Sequence, residues 1–417
     1  MKHGVWRYVL SLAPFFVAVS VAGAQSAALT LDEVVARFLQ RNLAVEAARH
    51  RVDVARAEQI AAALYPNPIL TFSAENLKLS GPTAAGDLYE VGATWSQPIE
   101  RPDKRRHRRE VAESTVAVAE AELAEVLGLR LLDVKRAFFE TLLAHTAVAQ
   151  AGENLRLFEE FLAVTEARFK EGAVAEGELL KVRLERVRLS NGVAQAELAL
   201  RQAGIRLLEL LGEADFSGAG AVAGESDLPV TVLPDVAILR AGALQRRPSV
   251  RAAEQSVLLA DRRVALERSR GTADVSPFLG VKRVGENNTV LLGIAIPLPF
   301  TDRNEGGIAR ALAEERMIRT ELAMRRVRVL AEVEAAYRAW HSARERMQRF
   351  ETGLLRQAEE SQSIALRAYQ EGAIELVTYL EAQRTRVDIR QQYLNAVFDA
   401  RIALLLLEQA IGQELGR

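Results

Sequence analysis

The sequence predicts a mainly α-helical fold with a small β part, in which one structural unit occurs twice along the chain. The phrase EGAVAEGELL begins at Glu171 and recurs as EGAIELVTYL at Glu371, 200 residues later. A long stretch of helix-forming residues precedes each copy of this phrase. Each half also contains two short segments in which apolar and polar residues alternate. Repetition at this period indicates two internal structural repeats of helices and strands.

The repeat divides the chain into segments. A short basic start (Lys2, Arg7) precedes an apolar run and an A-x-A pattern at Ala22 and Ala24, which predicts an export signal. A membrane anchor is the alternative, although Pro14 interrupts the apolar run, which is short for a span. The predicted segments are a signal peptide at 1–24, a first repeat at 25–213, a linker at 214–232 and a second repeat at 233–417.

The composition excludes several function classes. The 54 Lys and Arg residues nearly cancel the 55 Asp and Glu residues, so no net charge attracts nucleic acid. The chain has no cysteine, which excludes disulfide bonds and thiolate metal sites. Five histidines are scattered without metal-binding spacing, and there is no phosphate-binding loop. The sequence therefore predicts neither an enzyme nor a resident metal or cofactor. These histidines are His3, His50, His107, His145 and His341.

The first repeat opens with a helix. Thr30 and Glu33 have the spacing of a capping box, and Leu29 and Val34 are placed to pack together as a hydrophobic staple. We expect this helix to continue to the Tyr-Pro-Asn-Pro turn at 65–68. Its counterpart in the second repeat is expected at about 235–270.

Two extended segments follow in each half, at about 69–79 and 87–97 and again at 277–284 and 289–297. Their alternation is typical of strands with one face in lipid and the other in water, although a half-buried sheet of a soluble protein alternates in the same way. Four strands are too few to close a barrel, so several chains would have to contribute. In the second segment Tyr89, Val91, Ala93 and Trp95 share one face, opposite Glu90, Gly92, Thr94 and Ser96; in the fourth, Val290, Leu292, Ile294 and Ile296 lie opposite Leu291, Gly293 and Ala295.

Long helices connect the strands to the repeated phrases. We expect helices at 102–170 and 303–370, ended by Gly172 and Gly372, and shorter helices that return from these tips. At 1.5 Å per residue each long helix spans roughly 100 Å, about the length of the returning helix stacked on the opening helix. Each half is thus a long helical hairpin with its strands at one end.

A basic run, KRRHRR, occupies residues 104–109. It lacks the interleaved aromatic residues of nucleic-acid sites and lies in a chain with an export signal. We interpret it as a solvated helix start just inside the membrane, with nucleic-acid binding as the alternative.

Several motifs together resemble the TolC-like outer-membrane efflux channels. They are the order of elements, the doubled tip phrase, the opening LTLDEVVARFLQRN, the PNP turn and the phrase SQPIERPDKRR. The phrases NPILTFSAEN, SQPIERPDKRR and PLPFTDRNEGGIARA resemble one branch, the CzcC-like outer-membrane components of cobalt-zinc-cadmium-type heavy-metal efflux systems. Pro102 departs from that branch, which commonly has glycine there, and we expect it to alter only the corner.

The resemblance implies a homotrimer with a twelve-stranded transmembrane β-barrel and a helical tunnel that extends into the periplasm. It also implies a periplasmic adaptor (membrane fusion) protein and an inner-membrane pump, expected to be of the proton-driven RND type. The predicted function is a passive exit duct in the bacterial outer membrane for divalent heavy-metal cations. Efflux of drugs or small organic molecules, type I protein secretion by a duct of the same fold, and a soluble periplasmic coiled-coil scaffold remain as alternatives.

The tips are the predicted contacts with the adaptor, because their small residues let another helical hairpin approach. A glycine that merely permits a turn is the alternative interpretation. The predicted contact residues are Glu171, Gly172, Ala173 and Val174 in the first half and Glu371, Gly372, Ala373 and Ile374 in the second.

The resemblance also implies a gate. In this family, acidic side chains six and nine residues after the second tip glycine line the narrowest ring, and these positions are Thr378 and Glu381 here. The matching positions of the first half are Glu178 and Lys181. Three copies of Glu381 around the axis of a trimer would concentrate cations. The alternatives are that Glu381 pairs with Lys181 across helices, or with Arg384 or Arg386 on the helix surface.

Overall fold

The computed structural model describes residues 28–77, 89–101, 103–224 and 233–415. The predicted export signal, the turn between the first two strands, Pro102 and the linker residues from 225 onward lie outside these residues. None of the helices in the described ranges is both long and apolar enough to cross a membrane. The helices are α1 (Leu31–Arg41), α2 (Leu43–Ala62), α3 (Lys104–Lys170), α4 (Glu176–Leu210), α5 (Val236–Arg246), α6 (Pro248–Arg270), α7 (Glu305–Arg349), α8 (Leu355–Gln370) and α9 (Leu376–Ile411); the strands are β1 (Ile69–Glu75), β2 (Glu90–Ser96), β3 (Ser276–Val284) and β4 (Asn287–Ala295).

The capping box at the start of α1 is confirmed. The Thr30 backbone N–H donates to the Glu33 carboxylate at 2.9 Å, and the Thr30 hydroxyl accepts from the Glu33 N–H at 3.4 Å. Leu29 and Val34 are both buried in one apolar cluster, as the staple requires. These contacts direct α1 onto the bundle.

The opening helix of each half is broken, so the prediction of one continuous helix is wrong in both halves. Asn42 is extended (φ −66°, ψ 116°); its side chain caps α2 and donates to the Leu210 carbonyl at 2.7 Å. Arg247 takes the matching place in the second half (φ −63°, ψ 121°), and its guanidinium donates to the Gln409 carbonyl at 2.8 Å. The break follows from the capping side chain in the first half and from Pro248, which disfavours helical geometry at the preceding residue, in the second.

The two long helices differ. The first is confirmed as one uninterrupted helix of 67 residues, α3. The predicted helix at 303–370 is wrong as a single helix, because a π-helical turn at Phe350–Leu354 separates α7 from α8. Within this turn Gly353 leaves helical geometry (φ 162°, ψ −24°), so the hydrogen-bond ladder is interrupted there.

The strands form one antiparallel sheet in the order β1-β2-β3-β4. Each half contributes one hairpin, and the pairing of β2 with β3 joins the halves. Consequently β1 from the first half and β4 from the second are the two open edges of the sheet.

The helices form strips with the same two edges. Near the strands, α2 packs on α3, α3 on α6 and α6 on α7. Near the tips, α4 packs on α3, α3 on α9 and α9 on α8. We call β1, α2 and α4 the first edge, and β4, α7 and α8 the second edge. The sheet and both helical strips are therefore open rows of four elements, with the first repeat on one side and the second repeat on the other.

Three apolar clusters stabilise the helical part. One joins α1, α3 and α4 of the first half to α9 of the second half and contains Phe38, Phe138 and Leu207. The second joins α5, α7 and α9 and contains Trp340 and Leu407. The third lies near the tips and joins the hairpins of the two halves.

Candidate functional site

One face of the sheet is apolar and exposed. The strand register places Trp95 between Leu70 and Leu279, and Leu279 beside Leu292, so apolar side chains form continuous rows across all four strands. Phe72 is 76% exposed and Leu292 is 80% exposed in the single chain. An apolar surface of this extent requires a non-aqueous environment or a partner. The exposed apolar residues of this face are Leu70, Phe72, Val91, Trp95, Leu279, Val281, Val290, Leu292 and Ile294.

The opposite face of the sheet is more polar, although Ile69, Phe278 and Leu291 also lie on it. Thr71, Thr94 and Gly280 lie side by side on it in the strand register. At the end farthest from the helices, the Lys282 ammonium contacts the Glu75 carboxylate at 3.3 Å and also that of Glu90. The predicted alternation of β2 and β4 is thus confirmed, with one face suited to lipid and the other to water.

The basic run at 104–109 connects the start of α3 to the end of α2 by hydrogen bonds. The Arg105 Nε donates to the Ala63 carbonyl at 2.7 Å, and Arg108 donates to the Leu64 carbonyl at 3.0 Å. Lys104 is buried and forms a 2.8 Å ion pair with Asp274. Arg105 and Arg108 thus satisfy carbonyl groups that a helix end leaves without partners, and all three cations have a structural role beyond that of a solvated helix start.

The tips have the same backbone geometry in both halves. Gly172 and Gly372 have φ values of 75° and 78°, in the left-handed region that favours glycine. Glu171, Ala173, Glu371 and Ala373 are exposed around these glycines. Of the remaining predicted contact residues, Val174 is only 9% exposed and Ile374 is half-buried. The outer surface of each tip therefore consists of glycine, alanine and glutamate.

An aromatic cluster behind the tips joins the two hairpins. The ring of Phe161 on α3 lies 4.8 Å from that of Tyr379 on α9 and 5.8 Å from that of Tyr369 on α8, measured between centroids. Burial raises the pKa of the Tyr379 hydroxyl. Burial, followed by the nearby Glu178 carboxylate, raises the pKa of the Tyr369 hydroxyl. Both phenols therefore stay neutral donors near neutral pH.

The four candidate gate residues lie just beyond this cluster. Glu178 is half-buried, whereas Lys181, Thr378 and Glu381 are exposed. Within the part of the chain that the structure describes, the Glu381 side chain forms no ion pair with Lys181 or with an arginine of its own helix. Glu381 is therefore available to solvent in the single chain. The ion pairs closest to it in sequence involve Arg384 and Glu185.

An ion pair with a buried carboxylate, which the sequence prediction missed, links the two hairpins. Glu185 on α4 has a side chain 4% exposed, and its carboxylate accepts from Arg384 on α9 at 2.6 Å and from Arg188 at 3.4 Å. The hydrogen bond that Arg384 donates to Glu185 raises the pKa of the Arg384 guanidinium, and the negative charges of Glu185 and Glu381 contribute in the same direction. Arg386, half-buried, donates to Asn154 on α3 at 2.9 Å. One signal in the sequence could have indicated this pair. Glu185 lies between Val182 and Leu189, the apolar residues through which α4 packs on α3, so an acidic side chain is expected inside that contact.

No group of three or more His, Cys, Asp or Glu side chains in the described residues could hold a metal ion. Acidic residues near the tips are instead dispersed around the two turns.

Comparisons with known proteins agree with this architecture. The family model described as "Outer membrane efflux protein" matches residues 34–213 and 239–413. The cobalt-zinc-cadmium resistance protein CzcC of Cupriavidus metallidurans is 27% identical over 92% of this chain and 90% of its own. The nickel and cobalt resistance protein CnrC of the same organism is 30% identical over 71% of this chain and 70% of its own.

A solved structure shows the same fold. The outer membrane channel CmeC of Campylobacter jejuni superimposes with a TM-score of 0.77 at 16% identity, covering 100% of this chain and 94% of its own. The resemblance to outer-membrane efflux channels is confirmed, and the protein is located in the outer membrane and extends into the periplasm. Two matched segments that coincide with the two repeats, and a relative similar over most of the chain, show that this protein belongs to the outer membrane efflux protein family.

Proposed function

We propose that this protein is the outer-membrane exit duct of a tripartite efflux system, and that it passively passes divalent heavy-metal cations to the outside. The observation that carries the proposal is that the sheet and both helical strips are open rows with the same two edges. Such a row becomes a tube when the second edge of one copy meets the first edge of the next. Head-to-tail contacts of this kind generate closed rings.

A homotrimer satisfies both faces of the sheet. Three copies supply twelve strands, enough for a barrel that leaves a water-filled interior. The apolar face with Phe72 and Leu292 then meets lipid, and the polar face with Thr94 and Lys282 lines the interior. The α-helical strips close below it into the periplasmic tunnel.

The tips are the proposed contact with a periplasmic adaptor protein. Gly172, Ala173, Gly372 and Ala373 are exposed and small, which supports close approach of a partner helix. Val174 and Ile374 point inward in this proposal and hold the turns in place. The chain has no phosphate-binding loop, so in this proposal the energy for export comes from an inner-membrane pump. The resemblance to cobalt-zinc-cadmium-type systems implies that this pump is of the proton-driven RND type.

Glu381 is the proposed cation-attracting gate residue. It is exposed beside the second tip, so three copies place three carboxylates around the axis. Glu381→Gln should lower cation preference in single-channel recordings in planar bilayers, and Lys181→Gln should raise it. If neither variant changes conductance, cation preference or block by divalent ions, the gate lies elsewhere.

The metal cargo is supported by the relatives, whose names report resistance to cobalt, zinc, cadmium and nickel. The test is the growth of a deletion strain on zinc, cobalt, nickel and cadmium salts, with and without a plasmid copy of the gene. We expect lost tolerance that the plasmid restores. Unchanged tolerance of all four metals would remove the metal cargo, and sensitivity only to organic toxicants would favour the drug-efflux alternative.

A further inference from the structure

We infer that Lys282 determines how strongly the outer mouth of the duct attracts cations, because its ammonium group neutralises part of the charge of Glu75 and Glu90. The outer mouth is the end of the sheet farthest from the helices. The inference rests on the proposed duct and identifies a residue that determines its charge selectivity at the exit. It follows from a contact that joins three strands on the face that lines the interior of the proposed barrel.

The three residues carry the only charges on this face of the described strands. The register assigns every second residue of each strand to the face, and its other members are uncharged. Glu75 is the last residue of β1, Glu90 is the first residue of β2, and Lys282 lies near the end of β3. The charge of the interior face is therefore concentrated at the outer mouth.

The ammonium group lies between two carboxylates that face each other. Glu75 and Glu90 are directly opposite in the register of β1 and β2, an arrangement in which like charges repel. The Lys282 ammonium contacts the Glu75 carboxylate at 3.3 Å and also contacts the Glu90 carboxylate. One cation thus serves two anions, and each copy keeps an excess of negative charge at the mouth.

The position of the Lys282 side chain depends on Gly92. This glycine is directly opposite Lys282 in the register of β2 and β3. A Cβ atom at Gly92 would lie 3.6 Å from the Lys282 Cγ and 3.3 Å from the Ser73 hydroxyl oxygen. The side chain of Lys282 therefore passes across β2 at a residue that has no side chain, and its ammonium group reaches Glu75 on β1.

This balance of charges suits an exit that cations must leave. A site in a channel must attract the ion enough for it to enter and bind it weakly enough for it to leave. Two unpaired carboxylates in each copy would concentrate divalent cations at the mouth and slow their release. Lys282 offsets half of that charge, so the mouth prefers cations without retaining them.

Arg283 offers a matched control at the next residue. It is exposed on the apolar face of β3, opposite the interior face, and donates to the Gly285 carbonyl at 3.1 Å. Replacement of either cation by glutamine removes one positive charge from the same end of the sheet. Only Lys282 faces the interior, so only its replacement should change the selectivity.

The test is the reversal potential of single channels in planar bilayers under a KCl gradient, which measures the preference for cations over anions. Lys282→Gln should raise this preference, and cadmium ions added at the outer side should block the variant at a concentration about tenfold lower than the unmodified protein. Glu90→Gln should lower the preference. Lys282→Arg, which keeps the charge, and Arg283→Gln should leave both values unchanged.

The absence of cysteine permits a second readout on channels that have already assembled. A positively charged methanethiosulfonate reagent added to Lys282→Cys should return the reversal potential to that of the unmodified protein. A negatively charged reagent of similar size should move it further toward cation preference. Because the charge is added after assembly, an effect of the substitution on folding does not affect this comparison.

An unchanged reversal potential and block in Lys282→Gln would overturn the inference, as would an equal effect of Arg283→Gln. A loss of thermal stability in Lys282→Gln with an unchanged reversal potential would limit Lys282 to relieving repulsion between two carboxylates, and would also overturn it. The reversal potential is measured in KCl, so these results do not depend on the metal cargo. If the unmodified protein forms no channel, the proposed duct itself is wrong.

Discussion

The two long helices occupy matched places in the repeat, yet α3 is unbroken and its counterpart is divided by the turn at Phe350–Leu354. Both contain a glycine at nearly the same distance from the tip, Gly152 and Gly353. Gly152 remains helical because α3 is an inner element of every strip and is packed on both sides. Gly353 lies at the second edge, in a turn with no buried residue. The same weak residue is thus tolerated where neighbours enforce the helix and interrupts it where one side is open.

The largest expected difference between these regions comes from removing an aromatic ring. Phe138→Ala in α3 should lower the free energy of unfolding by about 3–5 kcal/mol, because this ring is fully buried in a packed cluster. Phe350→Ala should cost under about 1 kcal/mol, since Phe350 is half-buried and its ring lies 6.2 Å from that of Tyr393. Denaturant unfolding in detergent, followed by circular dichroism, measures both. Equal losses would contradict the view that the interrupted region is loosely packed.

The next effect concerns the link between the hairpins. Arg384→Ala leaves the buried Glu185 carboxylate without its 2.6 Å partner and should cost about 1–3 kcal/mol. Because the second-half hairpin is then held less tightly, single-channel recordings should show a larger open fraction. The control is Arg390→Ala, which removes a 3.1 Å pair of α9 with α8 whose side chains are about half exposed. If both variants open the channel equally, the link between the halves has no special role.

The stability of the second half should depend on pH at a position where it has an acidic residue and the first half has an apolar one. The repeat places the buried Leu208 in the first half at the position of Glu408 in the second. Burial raises the pKa of Glu408, so its protonated form is favoured by folding; the resulting stability is complete below the ordinary pKa of glutamate and is lost as the pH rises through the raised value. Glu408→Gln should therefore stabilise the protein at pH 8 but not at pH 4, where the glutamate is already protonated. The gain at pH 8 should be at most about 1 kcal/mol, because partial exposure of the side chain screens the effect. Thermal unfolding at the two pH values measures this, and an equal shift at both would contradict it.

The smallest expected effect compares the two glycines directly. Gly152→Ala should raise the free energy of unfolding by about 0.5–1 kcal/mol, because alanine is the better residue inside a helix and its methyl group meets no atom within 4 Å. Gly353→Ala should change it less, since the helix is already interrupted there. Melting temperatures of the two variants decide the matter. A larger gain at Gly353 would mean that its turn is an imperfect helix and not a stable feature.

The order of elements was predictable from the sequence, because its signals are local. Thr30 with Glu33, the tip glycines and the alternation around Trp95 each act within a few residues, and each appears where it was expected. The broken opening helices were less predictable. Asn42 carries a cap signal that helix-forming neighbours mask, whereas Pro248 was a direct indication that was not used.

The site was predictable only in outline. Tip positions follow from glycine spacing, but the burial of Val174 and the ion pair between Glu185 and Arg384 depend on how hairpins from opposite halves meet. Residues 199 positions apart in the chain form that pair, and no local pattern reports such a contact. The interrupted helix at Gly353 likewise depends on its place at an edge.

The open edges of the sheet also have a consequence for the life of the newly exported chain. Until it meets its copies, each molecule presents two unpaired strands and a wide apolar surface, the features that lead proteins to aggregate. The chain therefore stays soluble only if it crosses the periplasm and reaches a membrane quickly. Cells that overproduce this chain should accumulate insoluble monomer before mature channel, because the proposed ring needs three molecules whereas aggregation needs only two.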